Sequence, residues 1–253
     1  MTQELVKFVV RVGNSGGVLV PKDWINGMAH VELVKKPANI LGEVIGMLGS
    51  KLEDTIGIYL VGSYARNEQK DGSDIDVLVI TNKTEAKLEK RNYNIIIVSK
   101  AKLEKMLGEN ILPLLPMIKE AKPLLNSDLI EEYKNTKLTK KNLRFHIETT
   151  KTALKVIKEA IEFAKIENEN ISDNVMYSLI LRLRQVYIVG CLVHNKIPST
   201  KGILSLITEL AGSKDPYGAY LRSKQGKNAK KTVSIKQAER IYYYIDKIIK
   251  EHG

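Results

Sequence analysis

The chain is poor in several residue types, and each shortage excludes something. A single cysteine, Cys191, rules out an internal disulfide framework and a thiolate metal cluster. With one tryptophan and three phenylalanines, the aromatic content rests on eleven tyrosines. No uninterrupted run of 18 apolar residues occurs, so no membrane partner is expected. The opening Met1-Thr2-Gln3-Glu4 lacks the pattern of a secretory signal, which makes the cytosol the expected compartment. Acids are the scarcer charge, 29 Asp and Glu against 40 Lys and Arg, for a net charge of +11. That balance favours polyanionic partners: nucleic acid, nucleotides or an acidic protein. At 253 residues and 43% hydrophobic content the chain can bury one large core or two smaller ones.

What is present is concentrated between residues 60 and 80. An apolar run, Leu60-Val61, ends at Gly62-Ser63, and a short polar helix follows. The chain then returns as an apolar strand carrying Asp74 and Asp76. Strand residues two apart share a face, about 6.5 Å from one another. Transfer of a nucleotide from a nucleoside triphosphate needs positioned phosphates and neutralised charge more than covalent help. Two aligned carboxylates suit Mg²⁺, which takes one or two of them plus phosphate oxygens. Gly62 lets the backbone approach phosphates, and Ser63 stands where a helix starts and N–H groups are free. Arg66 adds a charged fork one turn on.

These residues resemble the signature of the polymerase β-like nucleotidyltransferases, in particular their minimal branch. That signature is an apolar residue, Gly-Ser, an arginine three or four residues later, then Ser-Asp-apolar-Asp-apolar. Gly62, Ser63, Arg66, Ser73, Asp74 and Asp76 match it in order. The resemblance implies Mg²⁺ at a catalytic pair, Asp74 and Asp76. It also implies nucleoside triphosphate, ATP foremost, on Gly62, Ser63, Arg66 and Ser73. The family usually carries a third carboxylate on the next strand. Here that strand is expected at Tyr93–Val98, which holds no acid, and Asn94 is the nearest counterpart. Glu53, Asp54 and Glu120 are the acids elsewhere that a fold could bring in.

Around this segment the chain reads as an α+β protein in three parts. Residues 1–36 form a β-hairpin element: strands at Phe8–Val12 and Val18–Val20 about a Gly13–Gly17 turn, a one-turn stop at Pro21–Trp24, and a third strand at Val31–Val34. So short a β segment cannot bury a core alone. Gly13-Asn14-Ser15 with the later Pro21-Lys22-Asp23-Trp24 resembles the swapped hairpin of AbrB/SpoVT-type regulators. That resemblance implies a homodimer through the hairpin, with Arg11, Lys22, Lys35 and Lys36 facing DNA phosphates.

Residues 37–136, beginning at the Lys36-Pro37 break, form a small mixed sheet with flanking helices. Residues 137–253 are nearly all helix, four to five long segments forming a bundle. Leu181-Arg182-Leu183-Arg184 and the apolar residues after it resemble the helical domain that follows many archaeal minimal nucleotidyltransferases, which is similar to HEPN bundles. The HEPN ribonuclease pattern is absent, because nine residues separate Arg184 from His194. Arg182 and Arg184 interrupt an apolar helix, so they either meet the nucleotide or acceptor or pair between helices. The cations Arg222, Lys224, Lys227, Lys230, Lys231 and Lys236 form a basic cluster about a loop at Gly226–Thr232.

The expected activity is Mg²⁺-dependent transfer of NMP from an NTP to a hydroxyl on a protein, an RNA or a small molecule. The competing reading is a dimeric DNA-binding regulator whose degenerate nucleotidyltransferase domain only senses nucleotide.

Overall fold

The computed structural model describes residues 5–32, 39–227 and 230–252. The chain divides into two compact units at Val44/Ile45. The first holds a hairpin, β1 (Val10–Val12) and β2 (Ser15–Gly17), paired antiparallel with Val12 opposite Ser15. The turn is therefore the two-residue Gly13-Asn14, tighter than the Gly13–Gly17 expected, with Gly13 at φ 58°. Positive φ at a two-residue turn matches the twist of the flanking strands, and glycine adopts it without a Cβ penalty. A 3₁₀ turn at Lys22–Trp24 is the expected stop. Val31 and Glu32 form no strand, and Leu33, Val34, Lys35, Lys36 and the Lys36-Pro37 break lie outside the described residues. α1 (Ile40–Leu48) follows.

The second unit opens on a 3₁₀ segment, Gly49–Asp54, leading to β3 (Thr55–Val61). Then come α2 (Gly62–Ala65), β4 (Ile75–Thr81), β5 (Ala86–Lys90), β6 (Tyr93–Ser99), α3 (Lys100–Glu109), α4 (Leu115–Glu120), β7 (Lys122–Leu125) and α5 (Ser127–Lys134). The sheet order is β5-β6-β4-β3-β7, with β4 and β6 parallel and the other neighbours antiparallel. This is the mixed sheet expected, with three elements the sequence concealed. β5 is a charged edge strand, Ala-Lys-Leu-Glu-Lys, whose alternation is too weak to separate from a loop. β7 contains Pro123 on the opposite edge, and α5 is only eight residues long.

From α6 (Lys140–Ile166) onward the unit is a bundle: α7 (Asp173–Val193), α8 (Thr200–Ala211), α9 (Asp215–Lys224) and α10 (Ile235–His252). α7 is long and apolar enough to cross a membrane by length and composition. Its Leu179, Ile180 and Leu183 are fully buried in the bundle core. Further along, Leu192, Ile188 and Val189 pack against the core beneath the sheet, so α7 joins both layers. A Ser234–Gln237 capping box opens α10. Of the tyrosine run, Tyr242 and Tyr244 pack on the core and Tyr243 is exposed.

The basic cluster is more compensated than its sequence suggested. A short strand pair, β8 (Ile171–Ser172) with β9 (Lys231–Val233), takes in the end of the supposed loop. Arg222 forks onto the buried Asp173 at 2.7 and 2.8 Å, and Lys231 pairs with Glu169. Both acids lie some fifty or more residues away in the chain, beyond the reach of a local reading.

Candidate active site

The site is set by register. In β3–β4, Val61 lies opposite Asp76, and in the parallel β4–β6 pair Asp76 lies beside Asn94. Asn94 Nδ2 donates to Asp76 Oδ1 at 2.9 Å, so the amide holds one oxygen of the carboxylate. Asn94 Oδ1 is buried without a hydrogen-bond partner. Asp74 precedes β4, one residue outside the strand expected to carry it, and is exposed where Asp76 is half-buried.

After Val61 the chain turns at Gly62, whose φ is 70°. A Cβ at this residue would collide with Asp76 Oδ2. Two demands therefore fall on one glycine, left-handed backbone and direct approach to the carboxylate. α2 begins immediately at Gly62, earlier than the helix expected after Gly62-Ser63, and places Ser63 in its first turn.

The register of β7 brings a residue that local reading could not assign. Lys122 lies opposite Leu60 on antiparallel β3, so Glu120, two residues before Lys122, falls beside Gly62, two after Leu60. Glu120 Oε1 accepts the Gly62 N–H at 2.6 Å, and Oε2 pairs with Arg66. Arg66 also meets Glu68 Oε2 at 2.9 Å through Nε. Burial works against the guanidinium's charge, but Glu68 and Glu120 outweigh it and raise its pKa above the ordinary value.

Sequence matching aligned Arg66 with the phosphates. In the structure its charge is already met by two carboxylates. Glu120 thus does not supply the third acid: it occupies the turn N–H and the arginine instead. Asp54 is at the far end of β3, accepting the N–H groups of Lys83 and Thr84. Ser73 Oγ accepts the Lys70 N–H at 2.8 Å and so shapes the loop between α2 and β4.

Carboxylate oxygens are hard donors of the kind a divalent cation prefers, and Asp76 keeps Oδ2 outside its bond to Asn94. Among the described residues no three His, Cys, Asp or Glu side chains gather tightly enough to hold a metal ion by themselves. A cation here would rest on the aspartate pair and complete its shell from substrate oxygens and water, an arrangement common for Mg²⁺.

Beyond Arg66 and Glu120 a cavity of about 190 Å³ separates the sheet half from the bundle. Pro116 and Met117 of α4 face Arg184, Tyr187 and Ile188 of α7 across it. Of the two arginines flagged in α7, Arg184 reaches this cleft and Arg182 bonds Gln185 at 3.1 Å within its own helix.

A family model for the nucleotidyltransferase domain matches residues 43–182. The chain belongs to that family. Its members are transferases, and the matched span contains Gly62, Ser63, Arg66, Ser73, Asp74, Asp76, Asn94 and Glu120. Among solved structures, the chain is similar to a nucleotidyltransferase-like protein from Exiguobacterium sibiricum 255-15, with 13% identity, 83% of this chain and 73% of that one covered, and a TM-score of 0.40. It is also similar to the spectinomycin adenyltransferase AAD(9) from Enterococcus faecialis, solved with ATP and spectinomycin, with 14% identity, 83% and 98% coverage, and a TM-score of 0.42. No curated protein sequence matches the chain.

Proposed function

We propose that this nucleotidyltransferase moves NMP from an NTP, ATP foremost, to a hydroxyl acceptor with Mg²⁺ at Asp74 and Asp76. The observation that carries this reading is the contact of Gly62 with Asp76, which unites a bare backbone turn and a carboxylate that Asn94 holds in place. Bound Mg²⁺ would supply charge neutralisation at the α-phosphate and orientation of the pyrophosphate leaving group. Asp76 fixes the position of the transferred phosphorus, and Asn94 keeps its carboxylate from rotating. Gly62 and Ser63 offer the start of α2 to phosphate oxygens, and Ser73 shapes the loop that delivers Asp74. The acceptor oxygen bonds to the α-phosphorus as the bond to the β-phosphate oxygen breaks. The hydroxyl proton leaves to water, since among the described residues no third carboxylate joins Asp74 and Asp76.

Glu120 already sits on the Gly62 N–H and Arg66, so phosphates reaching this turn must exchange with its carboxylate. Incubation with α-labelled ATP and Mg²⁺ tests the reading. Label should move to an acceptor with the wild type and not with Asp76→Asn. Equal labelling by both proteins would end it.

A second reading concerns the hairpin. Its apolar side chains Val6, Phe8, Val12, Leu19 and Met28 are exposed, and it buries no core of its own. That observation favours a homodimer formed through residues 5–32 in the AbrB-like manner; DNA as its polyanionic partner is suggested by the net charge of +11 and the hairpin resemblance. Duplex DNA binding that vanishes when residues 1–38 are removed would support it, whereas unchanged binding would assign DNA affinity to the basic bundle.

A further inference from the structure

Three buried polar atoms between α6 and α7 have no hydrogen-bond partner. His146 of α6 is 7% exposed, and both of its ring nitrogens are unsatisfied. Arg182 of α7 keeps a buried Nε–H that is likewise unsatisfied. Buried polar groups are nearly always bonded, so each exception asks for an occupant that completes it. A ladder of contacts across the two helices joins the two residues. Thr150, one turn after His146, donates to Gln185 Oε1 at 3.5 Å, and Arg182 Nη1 donates to the same oxygen at 3.1 Å. That oxygen is spent on two donors, while Arg182 Nε–H and the His146 ring remain free.

The space beside them is small and holds no negative charge. A cavity of about 30 Å³ is lined by His146, Thr150 and Gln185 and by apolar residues such as Leu143, Val189 and Ile249. Among the described residues no Asp or Glu lines it. The acids of the surrounding elements are engaged elsewhere or exposed. Glu148 pairs with Arg144, Asp246 with Lys250, Glu251 with Lys247 and Asp173 with Arg222, and Glu109 is exposed. Arg182 itself forms no ion pair among the described residues. Burial first, and then this charge, push the His146 pKa below its ordinary value, so the ring is neutral and has one N–H to donate. A guanidinium left without a counter-charge beside an apolar space is costly, and water fills the volume without answering the charge. The cavity has room for about two waters, enough for a single-atom anion and too little for a phosphate or a sugar.

We propose that this cavity binds a small monovalent anion of the halide class, chloride foremost, held between the His146 N–H and the Arg182 guanidinium. The ion supplies the counter-charge that the bundle lacks at this point and clamps α6 to α7. Because α7 packs on both the bundle core and the core beneath the sheet, the clamp bears on both layers. The site is separate from the aspartate pair, and it does not rest on the transfer reading.

Urea unfolding of the full chain in sodium chloride, with sodium gluconate holding the ionic strength constant, tests this. Gluconate carries the same charge and is too large for the cavity. Above half-saturation the folding constant should rise in proportion to chloride, about tenfold for each tenfold of concentration. Bromide should reproduce the rise, and crystals grown in sodium bromide should show its anomalous signal beside His146. Arg182→Gln should remove the chloride dependence, while Arg182→Lys, which keeps the charge, should retain part of it. His146→Leu, an independent variant, should raise the half-saturating concentration about tenfold, the usual loss of a hydrogen bond to a charged group. Arg144→Gln, which removes an exposed cation of the same helix, should respond as the wild type does. Three results overturn the proposal: equal stability in chloride and gluconate, a chloride response that Arg182→Gln keeps in full, or water in place of bromide in the crystal.

Discussion

At the scale of single residues the site depends on two positions with no charge. Gly62 combines φ 70° with a Cβ direction that Asp76 Oδ2 occupies. Gly62→Ala is expected to cost about 1–2 kcal/mol from backbone alone. It should also abolish transfer by displacing the Asp76 carboxylate, to be checked by a denaturant melt beside a labelling assay. Asn94 holds Asp76 through one amide hydrogen bond. Asn94→Asp places a second carboxylate against the first, a like-charge pair that a divalent cation relieves. Its melting temperature should fall below the wild type's without Mg²⁺ and rise more steeply as Mg²⁺ is added. An equal Mg²⁺ response in the two proteins would remove Asn94 from the metal side of the site. Gly62, Asp74, Asp76 and Asn94 were all legible in the sequence because the motif is local. Glu120 was visible only as a spare acid, because its place beside Gly62 comes from the β7 register 58 residues away.

At the scale of elements, two buried polar groups in the bundle should show in stability. The Asp173 side chain is fully buried at the start of α7 and forks with Arg222 of α9. The Arg222 hydrogen bonds hold its pKa below the ordinary carboxylate value despite burial. Asp173→Ala leaves the Arg222 charge with only the Thr232 hydroxyl and the Lys230 N–H unmatched, and a loss of about 3 kcal/mol in denaturant unfolding is expected.

His146 of α6 is 7% exposed, with neither ring nitrogen hydrogen-bonded. Burial first, and then the charge of Arg182, lower its pKa from 6.5. The folded state disfavours the proton that the unfolded chain accepts. This histidine's contribution is therefore complete above pH 6.5 and is lost as pH falls from there toward the depressed folded value. His146→Leu should flatten the stability profile just below pH 6.5, where an unchanged slope would assign the dependence elsewhere. The helical character of residues 137–253, which includes α6 and α7, was legible in the sequence. Neither the Asp173–Arg222 pair nor the burial of His146 beside Arg182 was foreseeable, because each depends on a residue of a different helix.

At the scale of the whole molecule the question is what the exposed hairpin is for. All three phenylalanines of the chain, Phe8, Phe145 and Phe163, are solvent-exposed, and Phe8 is the most exposed of them. Removing residues 1–38 is expected to convert a dimer to a monomer in sedimentation while leaving nucleotidyl transfer by residues 39–253 intact. A wild type that sediments as a monomer would remove the dimer reading. Composition pointed toward polyanionic partners, but it overstated the basic face. Asp173 and Glu169 answer Arg222 and Lys231 across the bundle.

The sequence by itself determined the local unit on which the nucleotidyl-transfer reading rests. A glycine-serine turn and two aspartates two residues apart are close in the chain, so their geometry follows from one strand-turn-strand unit. It also determined the α+β class, through apolar runs of strand length followed by long amphipathic helices. Only the tertiary structure decided what surrounds that unit. Glu120 beside Gly62, Asn94 against Asp76, and Arg184 on Tyr220 across the cleft are set by strand register and helix packing. These are long-range pairings, which no local pattern of residues encodes.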